Sequence, residues 1–398
     1  MSNESVRMNY EFPEINNISD VLPVVEGSNE FIVAERDGYT IINYNVMFED
    51  TFPPVTSYLD AIRRECRGIT FCSKTGNILR RPYHKFFNVN EREETQSDNI
   101  DLSLPHIVLE KLDGSMICPF IVGGNIIWGT KMSAPEFHET VSKFVSDKPE
   151  YEEFVRLCIT NSVTPIFEWC SRKNRIVIDY SEDQLILTGM REMVNGGYFV
   201  HSAMKALAYN NENVSIPVVR AFNPIDNLNQ FIDYVRGIED VEGFVIRFIN
   251  GQMLKAKSHW YLQIHKAKEA ILQDRNIVEL ILEEHLDDVK AHLPAEDRDR
   301  LTVFESEFNM AIRDVLNAIF VEILIISQEN MDRKTFATTV ANELNSYTRS
   351  IIFSLWPVNN VGPIEVEEQV RNMIRNNLSR TAKYEAIRYA WFPNLRYN

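Results

Sequence analysis

The chain has 398 residues, of which 44% are hydrophobic and 25% charged, and its formal net charge is −16 at pH 7. That length exceeds what one hydrophobic core ordinarily serves, and that composition excludes wholesale disorder, so two globular domains are expected. The charge excludes a protein that coats nucleic acid non-specifically, because phosphate binding relies on positive potential; any nucleic-acid contact must be a local basic groove.

The opening segment MSNESVRMNYEFPEINN lacks a basic stretch followed by an apolar one. No later uninterrupted apolar run reaches the roughly 18 residues that a membrane span needs. A cytoplasmic protein with no membrane partner is expected. The five cysteines, Cys66, Cys72, Cys118, Cys158 and Cys170, are odd in number and form no CxxC pair. Buried reduced thiols are expected rather than a disulfide framework or a zinc site.

From about Phe31 to Lys257, short β-branched and aromatic runs are broken by Gly, Asn, Asp or Pro, as in FIVAERDGYTIINYNV and GITFCSKTGNILRRPYHKFFNV. This pattern predicts a sheet-rich region. Helical spacing intervenes at 135–158, near 199–209 and at 226–237, so the class is α+β rather than regular βαβ. The segments RRECRGITF and RRPYHKFFN carry Arg67 and Lys85, cations in strand-like settings that can face polyphosphate or simply solvent. In HIVLEKLDGSMICPFIV, Lys111 ends an apolar strand just before Asp113-Gly114, a pair that favours a tight turn, and IIWGTKMS then adds Lys131. Read alone, Lys111 is a solvated hairpin residue.

Further on, TPIFEWCSRKNRIVIDY sets Glu168 between Phe167 and Trp169, an acid where a core residue is expected. An aromatic beside a carboxylate suits a purine nucleoside, the ring stacking and the acid accepting from ribose or base donors; core packing is the alternative. In VEGFVIRFINGQMLKAKSHWY two strands flank an Asn-Gly turn, and period-two alternation puts Glu242 on the face of Phe244, Ile246 and Phe248. A carboxylate buried there requires a cation, which Lys255 or Lys257 on the returning strand can supply. The alternative is an edge hairpin with solvated charges. After Trp260 the texture turns helical, in HKAKEAILQDRNIVELILEEHLDDVKAHL, RLTVFESEFNMAIRDVLNAIFVEILIISQ and KTFATTVANELNSYTRSIIFSLW.

Taken in order, Lys111-Leu-Asp113-Gly114, Phe167-Glu168-Trp169, Glu242-Gly243-Phe244-Val245 and Leu254-Lys255-Ala256-Lys257 resemble motifs I, III, IV and V of the covalent nucleotidyltransferases. The flanking RECRGITF, RPYHKFFN and KSHWYLQIHK resemble more narrowly the tRNA-repair RNA ligases of T-even-type bacteriophages, over residues of about 60–265. The resemblance implies an adenylyltransferase domain with antiparallel sheets at 1–265 and an all-helical domain at 266–398. It implies an ATP-dependent RNA ligase in which Lys111 attacks the ATP α-phosphate, AMP passes to an RNA 5′-phosphate, and an RNA 3′-hydroxyl displaces it. Lys111, Lys255, Lys257 and Glu242 would then be catalytic. Arg67, Lys85, Glu110, Lys131 and Glu168 would hold the nucleotide with them, and Phe167 or Trp169 would stack on the base. Asp113 and Glu242 would orient Mg²⁺, or Mn²⁺ in its place, joined by Asp287 and Asp288 unless these are a solvated helix face. The implied partner is RNA with 5′-phosphate and 3′-hydroxyl ends, broken tRNA among them, and the implied state is a monomer. DNA ligases and mRNA capping guanylyltransferases share the ordered motifs but usually continue into a β-rich OB-fold module, where this chain turns helical. An inactive RNA-binding relative should have lost one of Lys111, Glu242, Lys255 or Lys257, and all four are present.

Overall fold

The computed structural model describes residues 12–48, 50–173, 175–209 and 216–397. The chain divides into two compact units, Met1–Leu262 and Gln263–Asn398.

In the first unit the alternating runs become three sheets. The first holds β1 (Phe31–Arg36), β2 (Tyr39–Tyr44), β3 (Arg67–Cys72) and β4 (Ile78–Arg80) in sequence order, all antiparallel. Its buried face, with Ile42, Ile69 and Phe71, closes on Ile62 of the helix Tyr58–Glu65. The remaining strands are β5 (Phe87–Asn88), β6 (His106–Lys111), β7 (Ser115–Val122), β8 (Asn125–Gly129), β9 (Val163–Cys170), β10 (Gln184–Glu192), β11 (Ala221–Phe222), β12 (Gly243–Phe248) and β13 (Met253–Lys257). They form a four-stranded sheet, β10-β9-β7-β8, and a five-stranded sheet, β11-β6-β12-β13-β5.

The β12–β13 hairpin is not an edge. β12 pairs with β6 on one side and β13 on the other, so Glu242 is carried into the middle of a sheet. The sheets are antiparallel, as expected, and among the described strands only the two-residue contact of β13 with β5 is parallel. The helix Leu228–Gly237 is capped by the Asn227 side chain accepting from Gln230 N at 3.0 Å. It lays Leu228, Ile232 and Val235 on the sheet residues Val108, Ile246 and Leu254.

The helical span expected at 135–158 is two helices, Pro135–Val145 and Pro149–Thr160. Pro149 starts the second and disfavours helical geometry at Lys148, which sits at φ −128°, ψ 69°. Both helices back the second sheet through Val141, Tyr151, Phe154 and Val155.

The second unit is helical and is organised by one 34-residue helix, Ala295–Gln328. Its buried residues Leu301, Phe304, Phe308, Ile312, Val315, Ile319, Ile323 and Ile326 recur every three or four positions, the stripe that a 3.6-residue period requires. The other two helical segments are broken. The first becomes His259–Ala270, Asp274–Leu282 and Leu286–Lys290. The last becomes Arg333–Thr338 and Ser346–Ser354, the latter restarted by Asn345, whose side chain accepts from Tyr347 N and Thr348 N. Two further helices, Pro363–Asn377 and Thr381–Trp391, complete the unit. Among the described residues all five cysteines are free, four buried and Cys72 half-buried, and no helix is long and apolar enough to cross a membrane.

Candidate active site

Strand register builds the centre of the site. Gly243 pairs with Lys111 across β6 and with Lys257 across β13. The carboxylate of Glu242, just before β12, is 4% exposed and is clasped from both sides. Lys111 Nζ lies 2.8 Å from its Oε2 and Lys257 Nζ 2.9 Å from its Oε1. A lone carboxylate buried this deeply would be strongly destabilising; one ammonium on each oxygen offsets the desolvation. Gly243 makes the turn into this position possible. Its φ is +143°, and a Cβ there would fall on the Ala256 carbonyl oxygen.

The face of the sheet that carries Lys111 and Lys257 floors a pocket of about 510 Å³. Leu109 and Lys111 come from β6, Val245 and Arg247 from β12, and Met253, Lys255 and Lys257 from β13, alternate residues as the strand period dictates. Arg67, Lys131, Glu168, Tyr83 and Phe86 stand around it. The lining holds six cations (Arg67, Lys111, Lys131, Arg247, Lys255, Lys257) and two acids (Glu110, Glu168). The chain of net charge −16 thus carries the local basic groove that phosphate binding needs.

Burial shifts the titration of Lys255 and Glu168. Lys255, over the Phe86 ring at 4.6 Å, is pushed well below the usual lysine value, first by burial and then by Arg67, Lys111, Lys85 and Lys257. Burial raises Glu168 to about 7, against the pull of Lys111 and with help from Glu242. Lys131 donates to the Tyr44 hydroxyl at 3.1 Å, and its ammonium lies over the Tyr44 ring. Lys85 is not in the lining. It lies over the rings of Tyr44, Phe52 and Phe87, and burial lowers its pKa.

Two sequence expectations are corrected. Neither Phe167 nor Trp169 reaches the pocket: they are 0% and 1% exposed, on the face of β9 opposite Glu168, and pack in the core with Leu185 and Tyr151. The rings that do line it are Tyr83, Phe86 and Phe137. The first two flank Lys85 in RRPYHKFFN and were visible there; Phe137 had no sequence signal. Asp113 is also committed elsewhere. Its Oδ2 accepts from Val177 N and Ile178 N, both at 2.7 Å, and its Oδ1 from the Tyr261 hydroxyl at 2.8 Å. Its own N–H donates to the Tyr180 hydroxyl at 2.9 Å. A carboxylate 3% exposed with these bonds anchors the turn after Lys111 rather than a metal's water shell. Asp287 and Asp288 are 94% and 85% exposed, beside Lys290 and His285 respectively. No group of three His, Cys, Asp or Glu that could hold a metal ion occurs among the described residues.

The RNA ligase family matches residues 65–272, more than half of the chain and every strand from β3 to β13. A nucleotide-dependent ligase is the class to which this pocket answers. The chain belongs to the RNA ligase family, and its substrates are ATP and RNA. A protein of Thermovibrio ammonificans that carries a provisional RNA ligase name is 29% identical over 282 residues, 69% of this chain and 71% of its own length. RNA ligase 1 of bacteriophage TS2126 is 26% identical over 237 residues, 57% of each chain. An archaeal ATP-dependent RNA ligase structure covers 66% of this chain and 64% of its own at 14% identity and a TM-score of 0.43, a likeness too slight to bear on the site.

Proposed function

We propose that Lys111 is the nucleophile, taking AMP from ATP and handing it to RNA. The observation that carries this reading is the Glu242 carboxylate held between Lys111 and Lys257 at the edge of a cationic pocket. Attack needs a free lone pair on Nζ, and Glu242 Oε2, 2.8 Å away, is positioned to receive the proton. The new P–N bond replaces the α–β phosphoanhydride bond, and pyrophosphate leaves. A 5′-phosphate oxygen of RNA then takes the AMP, breaking the P–N bond. An RNA 3′-hydroxyl attacks the 5′-phosphorus, forms the phosphodiester and releases AMP. Arg67, Lys131, Lys255 and Lys257 neutralise the phosphate oxygens during these transfers, and Glu168 holds the ribose.

Glu242 and Glu168, the carboxylates in and beside the pocket, would hold Mg²⁺ or Mn²⁺ together with the ATP phosphates, and the ion would supply charge neutralisation on the polyphosphate. Asp113 serves as the anchor described above. The domain roles follow: residues 1–265 carry adenylyl transfer, and the helical residues 266–398 set RNA preference, with broken tRNA as the favoured substrate of a monomeric cytoplasmic enzyme. The test is sealing of a tRNA cleaved in its anticodon loop, with 5′-phosphate and 3′-hydroxyl ends, against an unstructured RNA with the same ends. Faster sealing of the tRNA supports the repair reading; equal rates contradict it.

A further inference from the structure

Arg247 is a cation that adenylyl transfer, as proposed above, does not use. It lies inside β12 and is 5% exposed, and among the described residues it forms no ion pair, its Nη1 has no hydrogen-bond partner, and Nη2 reaches only Met204 Sδ at 3.8 Å. Leaving a guanidinium desolvated and unpaired is among the most destabilising arrangements a core can hold, so its retention points to a ligand that completes it.

Register says which part of a ligand that is. The α-phosphorus must meet Lys111, opposite Gly243. Arg247 is four residues along β12 from Gly243, roughly 13 Å at the usual strand rise, about the span from an α-phosphate to the far rim of a purine. Lys255 pairs with Val245, and Arg247 lies two residues further along β12, opposite Met253. Arg247 adjoins the apolar end of the pocket, with Leu109, Val219, Val245, Met253 and Tyr83.

We infer that the Arg247 guanidinium donates a hydrogen bond to a ring nitrogen of the ATP base, N1, N3 or N7, at the inner end of the pocket. A guanidinium only donates, so it reads acceptors on the purine rim and not the exocyclic amine. The inference rests on the pocket's being the ATP site. It makes Arg247 a specificity-determining residue.

The experiment measures self-adenylylation of wild type and Arg247→Met with ATP and with 1-deaza-, 3-deaza- and 7-deaza-ATP. In wild type one analogue should show an apparent KM raised roughly tenfold to a hundredfold, the usual weight of a hydrogen bond from a charged donor. Arg247→Met should raise the KM for ATP by a similar factor, leave the maximal rate nearly unchanged, and treat ATP and that analogue alike. A purely structural role would lower the labelled fraction and keep wild-type analogue preference. Should Arg247→Met fail to unfold cooperatively, Arg247→Lys replaces it and should lose part of the same discrimination. Equal KM for all three analogues in wild type, or unchanged discrimination in the variant, overturns the inference while leaving the ATP site intact. No label on wild-type Lys111 overturns the ATP-site reading and this inference together.

Discussion

Glu242 is the residue on which the site turns, because its two oxygens hold the two lysines that must act on one phosphorus. Glu242→Gln leaves Lys111 and Lys257 facing each other without an intervening charge. Self-adenylylation should fall on the order of 10²-fold or more while the protein still unfolds cooperatively; a labelling rate within a few-fold of wild type would contradict the role. Glu168 makes a separate prediction about pH. Its folded pKa is about 7 against an ordinary 4.5, so between those values the folded protein keeps a proton that the unfolded chain has released. Stability therefore falls as pH rises from about 4.5 through 7 and stays low above it. Glu168→Gln should lack this slope, gaining on the order of 2–3 kcal/mol relative to wild type between pH 5 and 8. Urea denaturation at both pH values checks it, and parallel behaviour of the two proteins would count against it. Glu242 was legible in the sequence because its charge sat where burial was expected, which made Lys255 or Lys257 its candidate partner; Lys111, solvated by its own local pattern, was singled out only by the ordered motifs of the resemblance. The alternation that placed Glu242 beside Phe244 also turns Phe167 and Trp169 away from Glu168, so the error over the stacking aromatics was avoidable. Asp113 was not legible, since its partners Val177, Ile178 and Tyr261 are brought to it only by the fold.

Among the elements, β12 and the long helix Ala295–Gln328 show how differently a sequence can announce structure. The helix declares itself through its apolar stripe, and its burial follows that stripe. Phe308, fully buried in the helical core, should cost about 3–5 kcal/mol when replaced by alanine. That loss should appear in the denaturation of the helical unit, and a change under 1 kcal/mol would mean the stripe is not the core. β12 is short, and its central place depends on β6, more than a hundred residues earlier, which no local pattern reveals. Gly243→Ala tests that placement, because an added Cβ meets the Ala256 carbonyl and φ +143° is strained for any side chain. A loss on the order of 1–3 kcal/mol is expected, together with slower adenylylation as Glu242 is displaced; unchanged labelling would show that the turn does not set the carboxylate. The break before Pro149 and the restart at Asn345 were both signalled locally, by a proline and a capping side chain that an unbroken helical period overlooks.

For the molecule as a whole, a net charge of −16 coexists with a pocket holding six cations and two acids, so charge averaged over the chain says little about the phosphate site. An α+β class could be read from strand runs interrupted by helical spacing, and a helical C-terminal region from the change of texture after Trp260; the grouping of the first unit's strands into three sheets could not, because sheet partners are distant in sequence. The helical unit should govern which RNA is sealed rather than whether AMP is transferred. Removing residues beyond about 270 should preserve self-adenylylation and slow sealing of a broken tRNA more than of a simple single strand, and equal slowing of both would contradict that division. The central claim is tested most directly by incubating wild type and Lys111→Ala with α-labelled ATP and a divalent cation and resolving the protein on a denaturing gel, after mass spectrometry has shown the starting protein free of AMP. A covalent label on wild type that maps to Lys111 and is absent from Lys111→Ala is the predicted result; a label that persists in the variant, or none on wild type, would contradict it.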